Sequence, residues 1–180
     1  GSHVAMAQAT PTEPEQEAML RSLARCGKVE QRILEMGLQV PEAAAPAANY
    51  LPFVRSGKLL FISGQIPKMP DNSLLKGQLG ASYSVEEGKA AARLCGMHLI
   101  GQMKAACGDL DKVKRVVKVE GFVSSTAEFV DHPQVVNGCS DLLVEIFGKE
   151  VGAHSRFAVG CSSLPLGVAV EIGGVVELEE

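Results

Sequence analysis

Two charged residues near the end of the chain occupy positions where chemistry is easy to imagine. Arg156 opens a strand-like segment at 156–162, and Glu171 sits inside another at 168–178. Side chains alternate between the faces of a strand. With Phe157, Val159 and Cys161 turned toward covering helices, Arg156, Ala158, Gly160 and Ser162 fall on the other face. In the second segment Val168, Val170 and Ile172 turn toward the helices, and Ala169, Glu171 and Gly173 turn away. A third segment, 116–124, divides into Val117, Val119 and Val123 on one face and Lys118, Glu120 and Phe122 on the other. Small residues mixed with isolated charges predict a far face that packs closely on something, and a second copy of the chain is the simplest candidate. A charge at such a seam is costly unless paired. Arg156 and Glu171 can therefore form a structural ion pair. Alternatively, Arg156 can grip a substrate carboxylate through its planar fork while Glu171 positions or activates water.

The elements that would position these residues can be read from the patterning. Apolar residues recur at three- and four-residue steps from about Pro14 to Gly37, which predicts a helix interrupted near Gly27 and ended at Gly37. Residues 41–49 are rich in proline and alanine and form a linker in which a regular helix is forbidden. The division is then 1–14 as a vector-like remnant (Gly1-Ser2-His3) and lead-in, 15–49 as an N-terminal helical arm with its linker, and 50–180 as the main domain. That domain opens with a hairpin, 50–55 and 59–64 about Ser56-Gly57-Lys58. A proline- and glycine-rich loop follows at 67–82, with room for one short edge strand. Ser84-Val85-Glu86-Glu87 is a capping box opening a helix with Gly88, Ala92, Cys95, Leu99 and Met103 on its inner face. Asp131-His132-Pro133-Gln134 opens a second helix, with Val135, Val136, Cys139, Leu142, Leu143, Ile146 and Phe147 inward and Gly148 as terminator.

Composition narrows the class. The chain has 180 residues, enough for one domain with an arm, and at 46% hydrophobic and 21% charged residues it is not a disordered chain. No apolar run is long enough to span a membrane. A net charge of −4, with no Trp and 4% aromatic residues, argues against a protein built to grip nucleic acid. Five cysteines at spacings that suit neither a CxxC motif nor a metal knuckle predict free thiols in a reducing, cytoplasmic setting and no metal site. Cys161 is expected on the core face, which speaks against a catalytic thiol. His98 and His132 are expected at a helix surface and a cap, and His154 in a loop. Gly173-Gly174 has no helix after it, so a close strand contact or bulge is expected rather than a phosphate loop. Lys112, Lys114, Arg115 and Lys118 read as a solvated basic stretch.

Three segments taken together resemble a known family. Ser63-Gly64-Gln65-Ile66-Pro67 lies at the end of the first hairpin. Val136-Asn137-Gly138 lies in the first turn of the second helix. Arg156, followed by Leu164-Pro165-Leu166-Gly167-Val168-Ala169-Val170-Glu171-Ile172, closes the chain. Over about residues 28–178 the sequence resembles the Rid family, the RidA-like, YjgF-like or L-PSP endoribonuclease-like proteins, and within it the longer-armed YjgF-like branch. The resemblance implies an α+β, chorismate-mutase-like fold, a mixed β-sheet with two helices on one face, here with the N-terminal helical arm added. It also implies a homotrimer with clefts between subunits and no cofactor. Active members hydrolyse 2-imino acids or their enamines to 2-keto acids and ammonia. On that pattern Arg156 matches the arginine that binds the carboxylate, and Glu171 the glutamate near the attacking water. Ser63 and Gly64 match the strand end lining the cleft, and Asn137 and Tyr50 resemble the family's asparagine and cleft-closing tyrosine. Ala158 stands where many deaminases carry Cys or Ser, and Phe157 where a small polar residue is common.

Three functions follow as expectations. The first is imine deamination by Arg156 and Glu171, a chemistry in which the electrophilic imine carbon needs orientation and a placed water more than a strong nucleophile. The second is a non-catalytic trimer that binds small carboxylates such as 2-keto acids, which the loss of a hydrogen-bonding group at Ala158 favours. The third is the endoribonuclease or translation inhibitor of the family's older name, against which the negative charge argues.

Overall fold

The computed structural model describes residues 12–14, 26–44 and 49–179. Of the helix expected from about Pro14 up to Gly27, residues 15–25 lie outside the described residues, as do linker residues 45–48. Helix α1 spans Lys28–Glu35. Its free N-terminal amides are capped from elsewhere in the chain: Lys28 N and Val29 N both donate to the Asp111 carboxylate at 2.8 Å. At its other end Gly37 N donates to the Leu34 carbonyl and Leu38 N to the Ile33 carbonyl, the paired bonds of a Schellman stop. Ile33 is buried in the core, Lys104 pairs with Glu30 at 3.3 Å, and Arg32 Nη1 donates to the Ile146 carbonyl at 2.9 Å. The described part of the arm is thus fastened to its own domain.

Strands β1 (Phe53–Ser56) and β2 (Leu59–Gln65) form the expected hairpin about Gly57 and Lys58. The loop after it contains isolated bridges rather than a strand. Helix α2 (Val85–Cys107) begins at Ser84 with both bonds of the capping box in place. Strand β3 (Val113–Ser124) leads to α3 (His132–Phe147), the short α4 (Lys149–Gly152) and β4 (Ser155–Cys161). Strand β5 (Val170–Leu178) ends the fold. The sheet order is β1-β2-β5-β3-β4, with β3 and β4 parallel and β5 antiparallel to both β2 and β3. Both long helices lie on one face, where Leu60, Val119, Val123, Val170 and Ile172 meet Cys95, Leu99, Cys139 and Leu143 in one buried core. The helices approach so closely that a Cβ on Gly138 would fall on the Lys89 carbonyl oxygen; only glycine permits this spacing.

Three expectations about faces need correction. In β4 the parity is the reverse of the expected one: Phe157 and Val159 are 55% and 42% exposed on the open face, while Arg156 and Ala158 turn toward the helices. Register decides this. Arg156 pairs with Val119, whose side chain is fully buried on the helix side. Cys161 shares the parity of Phe157 and is only part-buried, so it does not lie on the core face. In β3 a register shift between Val116 and Lys118 puts Val116, not Val117, beside Val119 in the core. The open face is therefore not a small-residue seam. Val54, Leu59, Phe61, Phe122, Phe157 and Val159 are all exposed, and the pairings Val54–Phe61, Phe122–Val159 and Phe122–Glu171 put them on one side with Glu171. Gly160 has no side chain on the helix side because His132 and Ser125 occupy that space.

Candidate functional site

The seven residues singled out from the sequence gather into two groups. The first forms where β2 ends beside β5. Between Ile62, paired with Gly174, and Gln65, paired with Ile172, β2 carries one residue more than its partner. Such a bulge re-aims the strand and lets both Ile62 and Gln65 turn inward. Ser63 and Gly64 are the residues at the bulge. Ser63 Oγ donates to the Leu51 carbonyl at 2.7 Å and Ser63 N to the Pro52 carbonyl at 3.0 Å. This brings the segment just after Tyr50 against the bulge, with Tyr50 itself half-exposed. Buried Gln65 folds back and donates to the Ser63 carbonyl at 2.9 Å.

Glu171 lies across the bulge. A Cβ on Gly64 would overlap its Oε1, so the carboxylate occupies the space that any larger residue at 64 would claim. Burial holds the Glu171 carboxyl above its ordinary value, because a charged carboxylate loses hydration there. Among the described residues no hydrogen bond or ion pair to this carboxylate is present. The other open-face carboxylate nearby, Glu120, is engaged by Lys118 at 2.8 Å.

The second group forms at the outer edge of the sheet. Arg156, near the start of β4, reaches α3: its Nη1 donates to Ser140 Oγ at 2.9 Å and its Nη2 to the Pro133 carbonyl at 3.1 Å. Pro133, Asn137 and Ser140 are spaced by four and three residues and so share one stripe of α3. Asn137 thereby belongs to the face that meets Arg156. Ala158 follows on the same side of β4, packed against the core.

Arg156 and Glu171 do not form the ion pair that the sequence left open. Arg156 shares the face of Val119, and Glu171 that of Phe122, three residues on along β3. An odd separation places the two side chains on opposite faces of the sheet. The structure thus brings Ser63, Gly64 and Glu171 together, with the chain just after Tyr50 held against them, and Arg156, Asn137 and Ala158 together, but not the two groups within one chain. Ser140 is a neighbour of Arg156 that the sequence reading did not single out, although the helical spacing from Asn137 to Ser140 is visible in the sequence; His154 lies in a loop as expected, two residues before Arg156, and meets Ser140.

The remaining reactive types are occupied. Burial pushes the Cys139 thiol up to about 12 and the Cys95 thiol well above its ordinary value, as suits core packing. His98 Nε2 lies 2.8 Å from the Lys68 carbonyl and His132 Nε2 3.0 Å from Ser125 Oγ. Among the described residues there is no cluster of His, Cys, Asp and Glu fit to hold a metal, and no helix long and apolar enough to cross a membrane.

A mixed five-stranded sheet with two long helices on one face, a bulged Ser-Gly strand end and an arginine on the edge strand define a protein of the YjgF, chorismate-mutase-like class. The comparisons agree. The family profile described as "YjgF/chorismate_mutase-like, putative endoribonuclease" matches residues 30–177, so the chain belongs to the YjgF/RidA family. Protein TCP17 of Trypanosoma cruzi is 50% identical over 157 residues, which is 87% of this chain and 98% of that protein. Among solved structures, a "putative endoribonuclease" from Shewanella oneidensis is 40% identical with a TM-score of 0.81, covering 84% of this chain and all of its own. Atu1372 of Agrobacterium tumefaciens, described as of unknown function, is 38% identical with a TM-score of 0.78, covering 90% of this chain and 99% of its own.

Proposed function

We propose that the protein hydrolyses small 2-imino acids or their enamine tautomers to 2-keto acids and ammonia, at sites shared between subunits of a homotrimer. The observation that carries this reading is Glu171: a half-buried carboxylate with a raised pKa, laid over the Ser63-Gly64 bulge with no partner of its own among the described residues. A carboxylate in that condition suits a group that orients water and takes its proton. Arg156 supplies the complementary function. Of the five N–H donors of a guanidinium, two are spent on Ser140 and Pro133, and the other three can meet a substrate carboxylate. Water adds to the imine carbon, the carbon–nitrogen bond then breaks, and ammonia leaves as the carbonyl forms. An imine carbon needs no covalent nucleophile, only orientation and a placed water.

The opposite-facing placement of Arg156 and Glu171 supports a shared site. One chain presents each group on a different surface, so a cleft that uses both is most simply completed by a neighbour. The exposed apolar side chains of the open face, Val54, Phe61, Phe122, Phe157 and Val159, support a neighbour packed there, because a patch of that kind on a sheet face marks an association surface. A second reading, a trimer that binds 2-keto acids without turnover, is favoured by Ala158, which offers no hydrogen-bonding side chain next to Arg156.

The test is release of ammonia or keto acid from freshly generated 2-iminobutyrate or 2-aminoacrylate, with Arg156→Ala alongside. Acceleration over the spontaneous rate that disappears in the variant is the expected result. No acceleration by a folded protein that is nonetheless stabilised by 2-oxobutyrate would establish the binding module instead. RNA cleavage falling steeply with salt would favour the ribonuclease reading over both.

A further inference from the structure

Arg156 is the end of a polar chain that begins on a backbone carbonyl. Ser140 Oγ, which receives Arg156 Nη1, also lies 2.9 Å from His154 Nε2, and His154 Nδ1 lies 2.6 Å from the Gly152 carbonyl. Which atoms carry hydrogen sets the direction. The Gly152 carbonyl can only accept, so His154 Nδ1 carries a hydrogen and donates to it. In the neutral ring Nε2 is then the acceptor and receives the Ser140 hydroxyl hydrogen, while Ser140 Oγ accepts from Arg156 Nη1, which can only donate. Burial, and to a smaller degree the Arg156 charge, holds the His154 pKa below its ordinary value against the pull of that carbonyl. That favours the neutral ring, the state in which Nε2 accepts from Ser140.

The placement follows from the local fold. Gly152 closes α4, His154 lies two residues later, and Arg156 two residues after that, with β4 already begun at Ser155. Ser140 comes from α3, one turn on from Asn137. Three elements thus converge on one long side chain that would otherwise sample many rotamers at a sheet edge.

We infer that Ser140 and His154 are positioning residues that hold the Arg156 guanidinium in one plane, so that its remaining donors present a ready two-point fork to a carboxylate. This rests on Arg156 being the carboxylate-binding residue proposed above. A fork oriented before the ligand arrives loses less freedom on binding than one that must be ordered by it.

The test is calorimetric titration of the full-length protein with 2-oxobutyrate, beside steady-state kinetics on 2-iminobutyrate. Ser140→Ala is expected to weaken 2-oxobutyrate binding about tenfold, as removal of a bond to a charged group does. Ser140→Thr, which restores the hydroxyl, should recover most of the affinity. His154→Phe should fall between wild type and Ser140→Ala, and His154→Gln closer to wild type. KM for the imine should follow the affinity while kcat changes far less, a split that mere loss of packing would not produce. Should Ser140→Ala fail to fold, the two His154 variants carry the test. Unchanged affinity in Ser140→Ala and His154→Phe, with binding abolished in Arg156→Ala, would overturn the positioning role and leave Arg156 in place. No binding of 2-oxobutyrate by wild type would overturn the reading of the site, and this inference with it.

Discussion

The two halves of the candidate site solve opposite problems. Arg156 is tied down: two of its donors are spoken for, its neighbour Ser140 is held by His154, and Ala158 beside it packs into the core. Glu171 is left open: it is half-buried, above its ordinary pKa, and lies over a backbone bulge that glycine clears for it. The difference suits the roles proposed. A group that grips a fixed shape gains from a fixed orientation, whereas one that must take and return a proton gains from a charged state that is not too stable. It also shows where protein stability is given up. The arginine half is knit into α3, α4 and β4, while the glutamate half carries an uncompensated desolvation that the rest of the core must offset.

The comparison can be broken most decisively by mixing chains. Glu171→Gln alone is expected to lower kcat by about a hundredfold, the scale of a lost proton-transferring group. Arg156→Ala alone should be at least as inactive. If each site takes its arginine from one subunit and its glutamate from the next, refolding the two inactive chains together should return activity to about a quarter of wild type, since each interface draws its two sides at random. Continued inactivity of the mixture would put both groups of a working site in one chain.

A second test strikes the surface that would join the halves. Phe122→Asp combined with Phe157→Asp changes two exposed side chains, so it should leave the helix-side core intact but separate the subunits. The expected outcome in light scattering is a monomer with the helical content of wild type and no turnover. A smaller effect is expected at the bulge. Gly64→Ala places a methyl group where the Glu171 carboxylate lies and should cost about tenfold in kcat, by displacing a group that works only at close range. Ser63→Ala, which removes the bond to the Leu51 carbonyl, should cost less, on the order of 1 kcal/mol of stability.

The smallest expected effect is on stability against pH. The folded pKa of Glu171 lies above its ordinary value, so the folded state binds its proton more tightly than the unfolded state does. The favourable contribution is present below the ordinary carboxylate pKa and is lost as pH rises through the folded one. Glu171→Gln should therefore melt higher than wild type at neutral pH, and the gap should close on acidification. Glu171→Gln melting lower than wild type at neutral pH, with the difference vanishing on acidification, would mean that Glu171 has a partner in the assembled protein.

Several features of this protein were set by short-range chemistry and could be read directly. The capping box at Ser84 and Glu87, the Gly57 turn, the stop at Gly37 and the buried faces of α2 and α3 each depend on residues within a few positions of one another. The resemblance carried by Ser63-Gly64, Asn137, Arg156 and Glu171 pointed to the family and fold. The facing of β4 could not be read the same way. One of its alternating sets, Phe157, Val159 and Cys161, is apolar and the other, Arg156, Ala158, Gly160 and Ser162, is small or charged, so apolar content favoured turning Phe157 and Val159 inward. The pairing of Arg156 with Val119 across a parallel ladder decided otherwise, because one step of register exchanges every side chain between faces. The bulges in β2 and β3 are invisible for the same reason: an unpaired residue exists only relative to its partner strand. Tertiary structure alone therefore decided that Arg156 and Glu171 part company within the chain, that Ser140 and His154 stand behind the arginine, and that large apolar side chains cover the open face. Local sequence determines what each residue can do; which residues act together depends on pairings between strands and helices far apart in the chain.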